Sequence, residues 1–331
     1  MREPHKIFIL TDCGSGIGYG HLVRCSSIAR EIIKLGCCIE TLCYHSGGEV
    51  FGDDCMNLDL CDWTTEENVN PRITENDIVI IDSYRPSAEF YTWISNKCRR
   101  LIVLDDYARI PYQADLIINP NVYFKPSQYS EILGEVVGGG DYAIVRPEFK
   151  AAKPHEVKKK LKKILIMAGG SDYRQLLPMM VREIIPQFPE IDFQIVSGSD
   201  ESKSALEGHA GLYENCQVFA RLDAASLAQL MVQADLAITT CGQTTIELSV
   251  IGTPMIGICI DLDQELYRNF YTAQKLFLST LNWDDPELKE KIAVDIDRMR
   301  SESMRAAISS KLKKLIDGKG AKRIAQKVIN D

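Results

Sequence analysis

Short apolar runs alternate with helix-like segments along this chain, and the alternation starts twice. The run at residues 7–10 precedes residues 21–35, whose apolar side chains recur at close to every 3.6 positions. Similar runs follow in the first half at 38–43, 78–81, 101–104 and 116–118, with a helical pattern at 88–97. Strands that alternate with helices form βαβ units, so the pattern predicts parallel sheets covered by helices.

A second alternation begins at residues 164–167, after the polar, basic segment 150–160. Its further strands are expected at 193–196, 217–219, 236–239 and 255–258, its helices at 176–185, 224–233 and 245–251, and a charged helical tail at 286–331 with a break at 317–320. The length of 331 residues suits two domains. We therefore predict an α/β fold of two doubly wound, Rossmann-like domains facing a central cleft, residues 1–153 and 160–331, joined by a solvated connector.

The chain is acidic, with 38 Lys and Arg residues against 46 Asp and Glu residues, a net charge of -8. Residues 49–77 contain nine acidic residues and one basic residue, so this segment alone accounts for the surplus. A chain of this charge is poorly suited to bind nucleic acid, because phosphate contacts need basic side chains.

The 11 cysteines include no tight C-x-x-C pair and the five histidines are scattered, which argues against a zinc site. The first apolar run is too short for a signal peptide, and no run approaches the ~18 apolar residues that span a membrane. We therefore predict a cytoplasmic protein with reduced thiols and no membrane span.

A glycine-rich turn follows the first strand and opens the first helix. Glycine occupies positions 14, 16, 18 and 20, and His21 comes next. The dinucleotide fingerprint G-x-G-x-x-G would need glycine at position 19, where this chain has Tyr19, so a redox dehydrogenase is disfavoured. The turn instead leaves room for a ligand at the backbone. An imidazole at a helix start tends to stay neutral, so His21 is either a general base or a residue that caps the turn.

Two further strand-to-helix turns lie in the second half. Residues 168–172, Ala-Gly-Gly-Ser-Asp, expose backbone N–H groups at a helix start, which is typical of an anion site. Residues 240–247, Thr-Cys-Gly-Gln-Thr-Thr-Ile-Glu, add hydroxyls and a glutamate one turn into the helix. This arrangement suits a nucleoside diphosphate, with Glu247 accepting hydrogen bonds from the ribose. Thr244 and Glu247 also have the spacing of a capping box, and the two interpretations compete for Glu247.

Asp261-Leu262-Asp263 has the D-x-D form with which some glycosyltransferases hold a metal-bound nucleotide. Those enzymes have a different, single-domain fold, and two amide-rich helix starts already stabilise phosphates here. We therefore predict no metal site and no cofactor.

Several motifs together resemble the UDP-2,4-diacetamido-2,4,6-trideoxy-β-L-altropyranose hydrolases of pseudaminic acid biosynthesis. The first is Gly18-Tyr19-Gly20-His21-x-x-Arg24, similar to the family's G-[FY]-G-H-x-x-R. The others, in chain order, are Ile81-Asp82-Ser83-Tyr84, Asp105-Asp106, Asp115-Leu116-Ile117-Ile118-Asn119 with Asn121, Tyr142-Ala143-x-x-Arg146-x-Glu148-Phe149, Gly169-Gly170-Ser171-Asp172, Gly242-x-Thr244-Thr245-x-Glu247 and Gly318-Lys319-Gly320-Ala321-x-Arg323-Ile324. The resemblance covers nearly the whole chain.

The resemblance implies the metal-independent glycosyltransferase-B (GT-B) superfold and hydrolysis of a UDP-sugar, with water attacking C1 of the sugar, inversion at that carbon and release of UDP. It implies that His21 is the catalytic base. The implied substrate-binding residues are Gly18, Gly20, Arg24, Tyr84, Asp263 and Gln264. The implied UDP-binding residues are Gly169, Gly170, Ser171, Phe219, Gly242, Thr244, Thr245 and Glu247, with the ribose at Glu247 and the uracil near the backbone around Phe219.

One position departs from the family. The family often has Asn-Gln where this chain has Asp263-Gln264, which places a negative charge where a neutral amide would lie. The aspartate could favour a different acetamido sugar or help to orient a nucleophile. Two alternatives to the hydrolase stay open: a glycosyltransferase of the same fold that uses a UDP-sugar donor, and a nucleotide-sugar binding module without catalysis.

Overall fold

The structure, a computed structural model, describes residues 6–48, 55–169, 172–220 and 222–330. It divides into two compact units. The first unit combines residues 1–146 with residues 318–331, and the second unit is residues 147–317. Each unit has its own parallel sheet with helices in the connections, which confirms the predicted class of two doubly wound α/β domains.

The first unit contains seven strands among its described residues. They are β1 (Ile7–Cys13), β2 (Ile39–His45), β3 (Leu58–Leu60), β4 (Ile78–Asp82), β5 (Arg100–Leu104), β6 (Leu116–Asn119) and β7 (Glu135–Gly138). All pair in parallel, in the order β3-β2-β1-β4-β5-β6-β7.

The two central strands of this sheet, β1 and β4, are buried along their whole length, as expected for strands covered on both faces. The connection after β1 extends the sheet toward β2, whereas the connection after β4 extends it toward β5. The sheet therefore has a topological switch point between the carboxyl ends of β1 and β4. Doubly wound sheets bind their ligands at such points.

The second unit contains six strands among its described residues. They are β8 (Lys163–Met167), β9 (Asp192–Ser197), β10 (Cys216–Ala220), β11 (Leu236–Thr240), β12 (Met255–Cys259) and β13 (Leu281–Asn282). The order is β10-β9-β8-β11-β12-β13, all parallel. By the same argument, the switch point of this sheet lies between β8 and β11.

The described helices lie mainly in the connections between strands. They are α1 (Gly20–Lys34), α2 (Glu66–Val69), α3 (Ala88–Lys97), α4 (Pro147–Ala151), α5 (Leu176–Met179), α6 (Asp200–Ala210), α7 (Ala224–Gln233), α8 (Gln243–Ile251), α9 (Glu265–Ala273), α10 (Leu288–Arg298), α11 (Glu302–Leu315) and α12 (Gly320–Ile329). A π-helical turn at Met180–Ile184 and a 3-10 turn at Ile185–Gln187 extend α5. None of these described helices combines the length and the apolar character needed to cross a bilayer.

Three short strands are absent from the prediction: β3, β7 and β13. Each lies at the edge of a sheet and is only two to four residues long. β3 and β7 contain no fully buried residue, so their sequences lack the continuous apolar run that marks the central strands.

The acidic segment 49–77 contributes to the first unit through Trp63. Residues 49–54 lie outside the described part, but from residue 55 onward the segment packs onto the sheet. Trp63 is fully buried, and its indole N–H donates to the backbone carbonyl of Thr11 in β1 at 2.7 Å. The aspartate before it, Asp62, is exposed and accepts a hydrogen bond from Arg85 at 3.2 Å.

The observed units differ from the predicted domains 1–153 and 160–331 at both ends of the second unit. Helix α4 contacts α7 and α8 of the second unit. Helix α12 packs instead on α1 of the first unit, where Ile324, Ala325 and Val328 are fully buried. The apolar face of α12 is buried when the helix packs on α1, and this burial places α12 in the first unit although the residues before it belong to the second.

The predicted solvated connector is wrong at His155, which is 2% exposed. Its backbone N–H donates to the carbonyl of Ile251 at 2.9 Å, and its own carbonyl accepts from Lys313 Nζ at 2.6 Å. These bonds hold His155 against the rest of the second unit, where burial lowers the pKa of its imidazole.

We predict that Ile324→Ala destabilises the first unit by about 2–5 kcal/mol, because it leaves a cavity in a fully buried site. Lys322→Ala, on the exposed face of the same helix, is the control and should change stability by no more than about 0.5 kcal/mol. Hydrogen exchange of the peptide covering β1 measures the effect. Faster exchange in the second unit with an unchanged β1 would contradict the assignment of α12.

Candidate functional site

Glycines shape the turn that follows β1. Gly14, Gly16 and Gly18 have φ angles of 117°, 79° and 82°, in the left-handed region that glycine adopts readily. A Cβ on Gly14 would lie 2.7 Å from Ser46 Oγ, so a larger residue does not fit there. Apart from the adjoining backbone and the two chain neighbours, no described atom lies within 4 Å of a Cβ built on Gly18 or Gly20. The backbone at these two predicted substrate-binding residues is therefore open to a ligand.

His21 is the second residue of α1 and lies at the switch point of the first sheet. Its Nδ1 is 2.6 Å from Oδ1 of Asp82, the last residue of β4. The imidazole is 12% exposed. The N-cap residue of α1 is Tyr19, so His21 lies inside the helix, and its role as a base stays a prediction. Its partner is a carboxylate on the neighbouring strand.

Asp82 is ionised and fixes the tautomer of His21. Burial favours a higher pKa for Asp82, but the Arg24 guanidinium and His21 outweigh it and hold the pKa of this fully buried carboxyl well below its ordinary value. An ionised carboxylate only accepts hydrogen bonds, so Nδ1 of His21 must donate, and in the neutral imidazole the lone pair is then on Nε2. A carboxylate orients a histidine base in this way in the hydrolytic triads.

Arg24 joins two carboxylates of the first unit. Its Nε and Nη2 each donate to Asp82 at 2.5 Å, and its Nη1 donates to both oxygens of Asp106 at 2.9 Å. Asn121 Nδ2 donates to Asp106 as well, at 2.7 Å. These bonds occupy most of the guanidinium N–H groups, so Arg24 acts within the protein to position Asp82. Direct contact between Arg24 and substrate stays a prediction.

Tyr84 extends the same network toward solvent. Its hydroxyl donates to Asp106, and the side chain is 40% exposed. Its ring meets the imidazole of His21 edge-on, with ring centroids 4.8 Å apart. The residue predicted to line the sugar pocket therefore lies beside the predicted base.

Asp12, near the end of β1, is a further buried carboxyl that the motifs do not single out. Its Oδ2 accepts from the Ser83 hydroxyl, whereas its Oδ1 has no hydrogen-bond partner among the described residues. Nη1 of Arg85 lies 3.7 Å from that oxygen. Burial raises the pKa of Asp12 above its ordinary value, more than Ser83 and Arg85 lower it.

In the second unit, the turns after β8 and β11 flank the switch point. Gly169 has a φ of 75°, and a Cβ on it would lie 3.5 Å from Oγ1 of Thr240, so the two turns are adjacent. The Asp172 carboxylate accepts from two backbone N–H groups at the start of α5, both at 2.8 Å. Gly170 and Ser171 lie outside the described residues, and their contacts with phosphate stay predictions.

Helix α8 begins too early for the capping-box interpretation. Its N-cap is Gly242, which has no side chain, and Thr244 is already the second helical residue. Thr244 and Glu247 therefore do not form a capping box. Glu247 is 2% exposed, and the Thr245 hydroxyl donates to the Gly242 carbonyl at 2.7 Å. The ribose contact of Glu247 and the phosphate contacts of Gly242, Thr244 and Thr245 stay predictions.

Gln264 links the ends of two strands in the second sheet. Its Oε1 accepts from the backbone N–H groups of Cys241, after β11, and Ile260, after β12, at 3.1 and 3.3 Å. A sugar contact by Gln264 would have to use its amide N–H groups. Its neighbour Asp263 is exposed, and Phe219 lies partly buried on the edge strand β10. Their contacts with sugar and uracil stay predictions.

Asp261, the first residue of the D-x-D pattern, is already engaged within the second unit. It accepts hydrogen bonds from the Tyr173 hydroxyl and from Arg174 Nη2. The Arg174 guanidinium in turn lies over the Trp283 ring, 4.0 Å from its centroid. Within the described part of the chain, no group of three or more His, Cys, Asp or Glu side chains could hold a metal ion.

Asp82, Asp106 and Asp12 are absent from the predicted site, although the sequence carries a signal for the first two. Asp82 and the Asp105-Asp106 pair directly follow runs of four apolar residues, at 78–81 and 101–104. A carboxylate at the end of a buried parallel strand lies at the ligand-binding edge of the sheet. This pattern predicts where the two carboxylates lie in the sheet. It does not predict that Arg24 binds both, because that depends on the distance between α1 and the strands.

No protein-family model matches the chain. It is 26% identical to an uncharacterised protein of Methanocaldococcus jannaschii, over 88% of this chain and 62% of that protein, so it spans less than two thirds of that relative. It is 26% identical to the UDP-2,4-diacetamido-2,4,6-trideoxy-β-L-altropyranose hydrolase of Campylobacter jejuni, over 78% of this chain and 93% of that one. It is 25% identical to the spore coat polysaccharide biosynthesis protein SpsG of Bacillus subtilis, over 96% and 95% of the two chains.

The fold is also similar to that of solved structures. MurG of Acinetobacter baumannii superposes with a TM-score of 0.71 at 13% identity, covering 98% of this chain and all of that one. The UDP-GlcNAc 2-epimerase of Neisseria meningitidis, solved with UDP-GlcNAc, has a TM-score of 0.63 at 11% identity, covering 98% and 100%. At these identities the likeness shows the fold alone, which is the pair of Rossmann-like domains found in GT-B glycosyltransferases.

We predict that Asp12→Asn reduces the pH dependence of stability. Because the pKa of Asp12 is raised on folding, the native protein holds this proton where the unfolded chain has lost it. The contribution of Asp12 to the free energy of unfolding therefore falls as the pH rises from about 4, the ordinary carboxyl range, through the raised pKa. The melting temperature of the variant, measured relative to that of the wild type, should therefore rise with pH across this range.

The control for this prediction is Asp59→Asn, because Asp59 is 51% exposed in the same unit and pairs with Arg72. It should follow the wild-type profile. An Asp12→Asn profile that also matches the wild type would show that Asp12 does not carry the raised pKa.

Proposed function

We propose that this protein is a hydrolase that releases UDP from a UDP-2,4-diacetamido-2,4,6-trideoxyhexose, by attack of water on C1 with inversion at that carbon. The observation that carries the proposal is the His21–Asp82 pair at the switch point of the first sheet, beside a glycine turn with room at its backbone. The identity to the Campylobacter jejuni hydrolase, over nearly all of that enzyme, supports the substrate class.

His21 activates the water in this mechanism. Its Nε2 accepts a proton from water while the water oxygen forms a bond to C1 of the sugar. The bond between C1 and the phosphate oxygen breaks, and UDP leaves with the electron pair. The Asp82 carboxylate, 2.6 Å from Nδ1, holds the ring in the required tautomer and stabilises the imidazolium that forms.

The second unit holds the leaving group in this proposal. The turns after β8 and β11 lie side by side, and the start of α8 offers backbone N–H groups and a positive helix dipole end. These groups stabilise the charge that develops on the diphosphate as the C1–O bond breaks. Glu247, buried one turn into α8, accepts hydrogen bonds from the ribose hydroxyls.

A glycosyltransferase is the second candidate, and the likeness of the fold to MurG favours it. The hydroxyl of an acceptor would then replace water at the same base. The two reactions differ in whether UDP is released when no acceptor is present, so one assay separates them.

The test is UDP release from UDP-2,4-diacetamido-2,4,6-trideoxy-β-L-altropyranose without acceptor, in water enriched in oxygen-18. We expect stoichiometric UDP and free sugar, with the heavy oxygen on C1 of the sugar. His21→Asn should abolish turnover and leave the affinity for UDP unchanged. Heavy oxygen on UDP would show attack at phosphorus, and the absence of UDP release from the wild type would refute the hydrolase.

We predict that Asp82→Asn lowers kcat by about 10²- to 10⁴-fold with little change in KM, because the neutral amide no longer fixes or stabilises the imidazole. Steady-state kinetics of UDP release measures the effect. The matched control, Asp59→Asn, replaces an exposed aspartate of the same unit and should keep the wild-type kcat. If Asp82→Asn changed KM alone, the carboxylate would act in binding and not through His21.

A further inference from the structure

We infer that Tyr107 is a specificity-determining residue that forms, with Tyr84, an aromatic wall for the apolar side of a deoxyhexose. The inference rests on the proposed function and names the part of the substrate that the first unit recognises. Tyr107 belongs to none of the sequence motifs and follows the Asp105-Asp106 pair at the end of β5.

The two rings form one surface next to the imidazole. Tyr84 is 40% exposed and Tyr107 is 42% exposed, and their ring centroids lie 6.0 Å apart at an angle of 47°. Tyr84 in turn contacts His21 edge-on. Single exposed aromatic residues are common, but two in contact beside a buried charged network are characteristic of a ligand site.

A buried carboxylate fixes the turn that presents Tyr107. Asp105 is fully buried, and its Oδ2 accepts from the backbone N–H groups of Tyr107 at 3.2 Å and Ala108 at 2.6 Å. Its Oδ1 accepts from the Tyr112 hydroxyl at 2.5 Å. Ala108 has a φ of 53°, which costs free energy for a residue with a Cβ. The hydrogen bonds of Asp105 hold this strained turn, and Tyr107 is therefore presented in a defined position.

The Tyr84 hydroxyl is used inside the protein, so Tyr84 offers its ring to a ligand. That hydroxyl donates to Asp106, which Arg24 and Asn121 also bind. An aromatic surface favours C–H groups and methyl groups. It disfavours a hydroxymethyl group, whose hydroxyl would lose its water without gaining a partner. The wall therefore favours a sugar with a methyl group at C5 over one with a hydroxymethyl group there.

The experiment compares, in the 331-residue chain, two donors that differ only at C6: UDP-2,4-diacetamido-2,4,6-trideoxy-β-L-altropyranose, which carries the methyl group, and UDP-2,4-diacetamido-2,4-dideoxy-β-L-altropyranose, which carries the hydroxymethyl group. Tyr107→Ala should lower kcat/KM for the first donor by about 10- to 100-fold, mainly through KM, and change the second much less. Tyr107→Phe keeps the ring and should retain the wild-type ratio. The affinity for UDP alone, measured by calorimetry, should be the same in all three proteins.

An unchanged ratio of the two donors in Tyr107→Ala would overturn the inference, and so would a parallel loss of affinity for UDP, which would report general damage. If the wild type cleaves neither donor, the proposed hydrolysis is wrong. The same comparison is then made on the Kd values of the two donors. A selective loss of affinity for the methyl-bearing donor in Tyr107→Ala supports the aromatic wall, and equal Kd values in variant and wild type refute it.

Discussion

The arrangement of the first unit depends on one guanidinium between two buried carboxylates. Asp82 ends β4 and Asp106 lies just after the neighbouring strand β5, and two such carboxylates side by side would repel each other and take up protons. Arg24 donates to both and keeps Asp82 ionised. An ionised Asp82 orients His21, and Asp106 accepts hydrogen bonds from Tyr84 and Asn121. Loss of one partner from such a buried ionic group typically costs about 3–5 kcal/mol.

The two units carry different side chains at the same place in the same architecture. Each sheet has a switch point between its two central strands, where the connections diverge. In the first unit the strand ends carry charged side chains around an imidazole. In the second unit the strand ends carry glycines and hydroxyl side chains and lead into the start of a helix. These features suit the binding of an anionic ligand group. Gln264 joins the ends of β11 and β12 and so holds the turn after β11 against the neighbouring strand.

Central strands and long amphipathic helices can be predicted from this sequence because burial requires apolar residues in a continuous run or at helical spacing. The bounds of α3 and α7 agree with the expected segments 88–97 and 224–233. Edge strands leave a weaker pattern, since one side of β3 and of β7 lacks a neighbouring strand. The position of His21 could be predicted from the glycine turn, but its pairing with Asp82 could not. That contact joins residues 61 positions apart, and only the packed sheet brings them together.

Helix α12 makes the order of synthesis matter for folding. The chain leaves the first unit after residue 146 and returns to it only at residue 318, so the whole second unit is made before the first can be completed. Until then, the face of α1 that Ile324, Ala325 and Val328 later cover is left without its partner. The second unit is continuous in the chain, and the last of its described strands ends at residue 282. During synthesis on the ribosome, the first unit is therefore the first to emerge and the last to complete its fold.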